Sequence, residues 1–328
     1  MLRMDYQVKL QYEALGHSDF VLNICPARTR WQRVVNETLA VEGATPSYTF
    51  TDPNTANRIN RLYSEGGPVT VRYAGTVELE HVFVDPAMIE EREIRSMPSE
   101  VVPYILPSRY CPSDKMRTLA VAMFGNVAPG YARVAAICEW VTQHVHFTPG
   151  KADTTACAME IFDSRQGVSR DYAHLMVSMC RALNIPARYV TGIDYGADPT
   201  LGPNDFQAYA EVFLGQRWYL FDPTGMMPLM GLIRIGTGRD AADVAFETLF
   251  GNVRSSRPVV GIQLLPTGQA QFEPASGTQQ AISTAMGNLY FHAAQSAPPP
   301  TRTLTPPLPG PWADRRATNA VHASSQRA

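Results

Sequence analysis

The sequence has no apolar run long enough to cross a bilayer. A spanning helix needs roughly 18 or more such residues, and stretches such as LAVAMF (119–124) are cut short by Gly125, Asn126, Pro129 and Gly130. It has no excess of charge of either sign: 28 Lys and Arg stand against 30 Asp and Glu, a net charge of −2. Nucleic-acid binders usually carry a strongly basic face, so that class of partner is not expected. The opening MLRMDYQVKLQYEAL is charged and alternating, without the apolar block and small-residue cleavage site of a secretory leader. There is no Cys-x-x-Cys pair. Cys25, Cys111, Cys138, Cys157 and Cys180 are never closer than 19 residues, and an odd, scattered set fits free thiols in a reducing, cytoplasmic compartment. No Asp/Glu cluster suggests a calcium loop. The expectation is a chain with no membrane segment, no nucleic-acid partner and no metal or other cofactor.

What is present divides into segments of different period. Tyr6–Tyr12, Val69–Tyr73 and Thr76–Val84 alternate apolar and polar residues, as half-buried strands do. Turn signals such as Asp52-Pro53-Asn54 and Glu65-Gly66-Gly67-Pro68 separate such runs, which is the pattern of an antiparallel sandwich. Residues 1–100 therefore read as an N-terminal β domain, and the prolines at 98, 103, 107 and 112 mark a linker over 101–112. From 113 the period becomes helical. The spacing predicts helices over Asp114–Phe124, Tyr131–His144 and Ser169–Leu183, the last stopping at Asn184 before Pro186. Strands are expected at Ala187–Thr191, Phe206–Leu214 and Arg217–Phe221, the last two forming a hairpin across Gly215-Gln216. The fold class is α+β, with a core over 113–270, an extension over 271–292 of unassigned structure and a tail over 293–328. Seven prolines between Pro298 and Pro311, followed by a stretch without an apolar face, make that tail a candidate for disorder.

The most specific signal is a set of four ordered blocks. Gly167-Val-Ser-Arg-Asp171 opens a helix, Ile185-Pro-Ala-Arg-Tyr-Val190 follows it, Asp205-Phe-Gln-Ala-Tyr209 starts a strand, and Trp218-Tyr-Leu-Phe-Asp-Pro-Thr224 lies on its partner. Together they resemble the bacterial transglutaminase-like superfamily, a papain-like cysteine hydrolase core preceded by a β domain. The resemblance covers most of the chain. It implies a Cys-His-Asp triad at positions 169, 207 and 222, with no cofactor. In such a triad a thiol near the positive end of a helix dipole favours thiolate. An imidazole takes its proton, and a carboxylate orients the imidazole.

Two of the three groups differ here. Position 169 is Ser169 and position 207 is Gln207; only Asp222 keeps the family's residue type. Serine needs a base to attack a carbonyl, and glutamine has no titratable nitrogen to supply one. The expectation is a catalytically inactive relative that binds a peptide or protein through its cleft. Two alternatives stand beside it: a structural subunit that pairs with an active homologue, or a weak serine-dependent amide hydrolase. Ser169 also suits an N-cap, with Asp171 complementing the dipole. Counting back from Gly215 sets Gln207 and Asp222 opposite one another, where the glutamine amide could donate to the carboxylate. Cys157, Cys138 and Cys180 read as packed thiols. His174 lies about 140° around its helix from Ser169 and so belongs to another face. His144 and His146 read as a helix–strand junction rather than a metal site, and Trp218 and Tyr219 as hairpin packing.

Overall fold

The first strand, β1 (Leu2–Ala14), buries every second residue from Leu2 to Ala14. That alternation lets one face enter a core while the other meets solvent. In the computed structural model, residues 1–150, 153–196, 203–266 and 280–286 are described. After β1 come β2 (Ser18–Leu22), β3 (Gln32–Glu42), β4 (Thr45–Thr51), β5 (Arg58–Ser64), β6 (Gly67–Leu79) and β7 (Val82–Val84). The helical region holds α1 (Ser113–Phe124), α2 (Tyr131–His144), β8 (His146–Phe147), α3 (Ala158–Ser164), β9 (Gln166–Gly167) and α4 (Ser169–Ala182). Then follow β10 (Ala187–Asp194), β11 (Gln207–Leu214), β12 (Arg217–Phe221), β13 (Leu232–Gly238) and α5 (Ala241–Val244). Last are β14 (Glu247–Phe250), β15 (Val253–Ser255), β16 (Val259–Leu264) and β17 (Ala281–Met286).

Two antiparallel sheets make the β domain. One runs β15-β1-β6-β3, with β16 also paired to β1; the other runs β14-β2-β5-β4. β1 and β6 pair over their whole length, from Leu2↔Leu79 to Ala14↔Gly67. Tyr6, Phe20, Leu22, Leu62 and Tyr73 are buried in one shared core, so the sheets pack as the sandwich that the alternation predicts. The third sheet, β13-β10-β11-β12-β17-β7, is antiparallel and carries the helices.

Helix α4 is the axis of that half. Every residue from Ser169 to Ala182 is buried except Arg170, as expected of a helix enclosed on all sides. It packs on β11, where Ala210 and Val212 join Leu175, Met176 and Met179 in one cluster. Small residues on the strand let the helix approach closely. The helix ends through Leu183 and Asn184, whose φ of 60° is the left-handed conformation asparagine tolerates at a helix C-terminus. Buried Arg181 then fastens the linker to the core. Its guanidinium donates to the Leu106 carbonyl at 3.1 Å, the Ser108 hydroxyl at 3.0 Å and the carbonyls of Ala187 and Arg239.

The sheets do not follow the division expected at residues 100, 113 and 270. β14, β15 and β16, all inside 113–270, pair with β2 and β1 of the β domain. β7, inside 1–100, pairs with β17 of the extension. Each half thus completes the other's sheet, which a chain-order reading of boundaries could not detect. The tail over 293–328 lies outside the described residues.

Candidate functional site

The start of α4 is built by a close approach. A Cβ on Gly167 would stand 2.6 Å from Asp171 Cβ, so glycine alone lets the Asp171 carboxylate fold back and accept the Val168 N–H at 3.0 Å. Val168 is the N-cap and Ser169 the first helical residue. This corrects the expected cap: Ser169 stands one position inside the helix, and its hydroxyl caps nothing. Arg170 lies 3.2 Å from the buried Asp171 carboxylate, and its guanidinium sits 5.5 Å over the Tyr110 ring.

Ser169 and Gln207 line one cleft of about 560 Å³. Gln207 opens β11 opposite Gly192 and is half-buried. Its side chain has no hydrogen-bond partner among the described residues. Asp222 is not among the cleft's lining residues. The hairpin pairs Ala210 with Phe221 and Glu211 with Leu220, so continuing that register sets Asp222 level with Tyr209. Gln207 is then a diagonal neighbour of Asp222, two residues along the strand from the opposite position. The expected Gln207–Asp222 hydrogen bond is not formed. Asp222 instead braces its own turn, accepting the Thr224 N–H at 2.9 Å, the Thr224 hydroxyl at 2.6 Å and the Met227 N–H at 2.8 Å.

Close enough to Asp222 to feel its charge is a carboxyl that sequence reasoning missed. Asp194, at the end of β10, is buried and accepts the Tyr209 hydroxyl, while its second oxygen has no partner among the described residues. Burial, reinforced by the Asp222 charge, pushes Asp194 well above the usual carboxylate range. Burial also raises Asp222, against the hydrogen bonds of its turn. Two nearby carboxylates in a poorly solvated site cannot both ionise cheaply.

The walls of the cleft are aromatic. Phe206 and Phe246 stack face to face at 4.4 Å and 7° on one side; Tyr110, Phe147 and Tyr189 line the other. Two ion-forming groups at the edge are already engaged: Asp205 lies 3.5 Å from Arg257, and Glu247 accepts the Tyr12 hydroxyl at 2.7 Å and the Ser255 hydroxyl at 3.3 Å. Tyr110 comes from the linker, where composition marks a connector and nothing marks a wall. Phe206 was placed at a strand start, yet its role depends on Phe246 forty residues later.

The remaining singled-out side chains lie elsewhere. His174 is buried behind the wall, stacked on Tyr110 and tilted against Tyr189, with ring centroids 5.0 Å apart in each case. Its Nε2 accepts the Ala241 N–H at 3.1 Å. Burial, helped by Arg170 and Arg181, holds it well below the ordinary imidazole range. His144 stacks between Trp140 and Phe162 at 4.3 and 5.1 Å, while His146 is exposed on β8. Burial pushes Cys111 up to about 12 and raises Cys25, Cys138 and Cys180 as well. Cys157 is the N-cap of α3, with its N–H on Glu160 at 2.6 Å. Trp218 packs under the Arg188 guanidinium at 4.1 Å, and Tyr219 meets Tyr131 edge-on.

The comparisons with known proteins follow this geometry. The model of the transglutaminase-like superfamily matches residues 117–223, a span that contains Ser169, Gln207 and Asp222. The crystal structure of a candidate cysteine protease from Cytophaga hutchinsonii superposes with a TM-score of 0.79 at 32% identity, covering 86% of this chain and 97% of that one. An uncharacterized protein of Mycobacterium leprae is 25% identical over 254 residues, 74% of this chain and 90% of its own length. An uncharacterized protein of Mycobacterium tuberculosis is 27% identical over 143 residues, 46% of its length.

Proposed function

Since the chain belongs to the transglutaminase-like superfamily, we propose that it is a member without acyl-transfer chemistry, whose cleft binds a peptide or protein segment. The observation that carries this reading is the lining of the cleft: among the described residues, neither a thiol nor an imidazole reaches it. Ser169 is the only hydroxyl at the helix start, and no group that could take its proton is hydrogen-bonded to it. A serine without a base within such reach is a poor nucleophile. Nucleophile and base act as a unit, so losing both removes nearly all covalent catalysis. The aromatic walls remain suited to apolar side chains of an extended segment.

A weak serine hydrolase would need a base that neither Asp205 nor Glu247 supplies, since both are held by other partners. A purely structural subunit would leave the paired aromatic walls without a role. The five cysteines are all unpaired, which supports a reducing compartment. Among the described residues no helix is long and apolar enough to cross a membrane.

The test has two arms. A fluorophosphonate probe and an amine–glutamine donor pair should give no label at Ser169 and no amine incorporation; either product would overturn the inactive reading. A displayed peptide library should yield ligands whose binding is lost in Phe206→Ala. Ligands indifferent to Phe206→Ala and Tyr110→Ala would remove the cleft from the proposal.

A further inference from the structure

The donors at the start of α4 outnumber their acceptors. The first N–H groups of a helix have no partner within it. Here Val168 N–H is taken by Asp171, while Asp171 and Tyr172 N–H go to the Val168 carbonyl at 2.8 and 3.2 Å. The N–H groups of Ser169 and Arg170 have no acceptor among the described residues. Ser169 is itself only 8% exposed, and its hydroxyl has no partner among the described residues although the residue lines the cleft. Gln207 lines the same cleft and can turn its amide NH2 toward it. The hydroxyl and the two amides are donors that a ligand entering the cleft can engage.

The charges nearby do not fill that role. Asp171 is the one carboxylate in the first turn; it is balanced by Arg170 and occupied by Val168. Asp205 and Glu247 stand at the cleft edge with partners of their own. A thiolate at position 169 would put negative charge at this helix end, but serine and glutamine are both neutral. The result is four neutral donors at one cleft, the Ser169 O–H, the Ser169 and Arg170 N–H groups and the Gln207 NH2, with the Arg170 and Arg257 side chains also in its lining.

We infer that the cleft binds a carboxylate through these donors, and that the ligand is the free C-terminus of a peptide whose last side chain is large and apolar. The inference rests on the peptide-binding reading above and narrows it. A carboxylate is acceptor-only, with about four lone-pair directions, and helix N-termini favour anions. An internal peptide bond would offer one acceptor oxygen and present an N–H to a ring of donors. The aromatic walls on either side, Phe206 with Phe246 and Tyr110 with Tyr189, would take the terminal side chain. Peptides with such ends are the products of hydrolysis, so a protease acting after apolar residues is the class of reaction that supplies them.

The experiment is titration calorimetry at pH 7 on the full chain. The ligands are acetyl-Ala-Ala-Phe as the free acid, the same peptide as its C-terminal amide, and acetyl-Ala-Ala-Asp-amide, which carries a carboxylate only on a side chain. The acid should bind about tenfold or more tighter than the amide, the scale of a charge-assisted hydrogen-bond cluster. Gln207→Glu, nearly isosteric on a half-buried residue, should abolish that preference by placing like charge beside the ligand. A far-UV circular dichroism spectrum and a urea midpoint matching the wild type show that the variant is folded, and a preference for the acid retained in it would overturn the place given to Gln207. Equal binding of acid and amide, both lost in Phe206→Ala, would overturn the carboxylate inference and leave peptide binding standing. The side-chain carboxylate binding as tightly as the free acid would overturn the C-terminal assignment. No binding of any of the three would overturn the inference, while library ligands sensitive to Phe206→Ala would still support the cleft.

Discussion

If only the reactive groups are missing, two substitutions should restore a reactive thiolate. Ser169→Cys puts a thiol at the first position of α4, and Gln207→His puts an imidazole on the same cleft. In Ser169→Cys alone, the helix dipole stabilises the thiolate by about 0.3–1 kcal/mol, up to ~2 kcal/mol when partly buried. That is worth roughly one pH unit in the midpoint of thiolate formation, and burial acts against it. In the double variant an imidazolium at contact distance adds about 4 kcal/mol for unit charges ~4 Å apart at an effective dielectric constant of 20. The midpoint should then fall by about three further pH units. The assay is the rate of iodoacetamide alkylation at residue 169 against pH, with Cys157 replaced by serine. Burial raises the other four thiols, so they should react slowly. A midpoint far below that of a free cysteine, seen only in the double variant, is the expected result. Coincident profiles for the single and double variants would mean that the two side chains do not meet across the cleft, and would refute the reading of positions 169 and 207 as one site.

Two further predictions concern the scaffold. Arg181→Met should destabilise the protein by on the order of 3–5 kcal/mol, because it takes a donor from the buried carbonyl of Ala187 and from the part-buried carbonyls of Leu106 and Arg239; a urea midpoint within experimental error of the wild type would refute the clamp. The second prediction is a pH dependence at Glu37. Burial by itself would raise this carboxyl, but hydrogen bonds from Arg58 and Tyr73 and the charges of Arg58 and Arg28 hold it at about 2, against an ordinary 4.5. A depressed carboxyl contributes stability above its unfolded value and loses it as pH falls toward the folded one. The stability gap between the wild type and Glu37→Gln should therefore be full at pH 5.5 and shrink through pH 4.5 toward pH 2; a gap that is constant over this range in urea titrations would sink the assignment.

The parts of the fold legible in sequence are those whose period is set by one buried face. β1 alternates because one side of its sheet is core, and α2 repeats at helical spacing because Val134, Ile137 and Val141 share one face. Helix α4 was legible for another reason: its limits are marked by Gly167 at one end and Asn184-Ile185-Pro186 at the other, although almost no polar face remains. What did not show was strand exchange. β14 to β17 are short, with three to six residues each, and β14 to β16 leave part of their length exposed, so period says little about which sheet they join. In β1, β2 and β7 they pair with residues about 200 to 260 positions away, and no local pattern records that.

The site divides in the same way. Ser169, Gln207 and Asp222 could be located because each stands at the end of an element bounded by its own turn signals. Their relations could not, because register and hydrogen bonding are decided after the chain has folded. Counting from Gly215 set Gln207 and Asp222 opposite one another, but the pairing of Ala210 with Phe221 moves Asp222 level with Tyr209. The difference has a physical consequence. A carboxylate facing Gln207 directly would accept its amide and hold it out of the cleft. One set diagonally, with both oxygens held by Thr224 and Met227, leaves that amide free to face the cleft beside Ser169. On the proposed reading, having Gln207 where the family has an imidazole does more than remove a base. It replaces a group that could carry positive charge and pass on a proton with a neutral donor that can do neither, next to a hydroxyl in the place of a thiolate. On the proposed reading, a site that forms and resolves a covalent bond in the family selects its ligands here by hydrogen bonding alone.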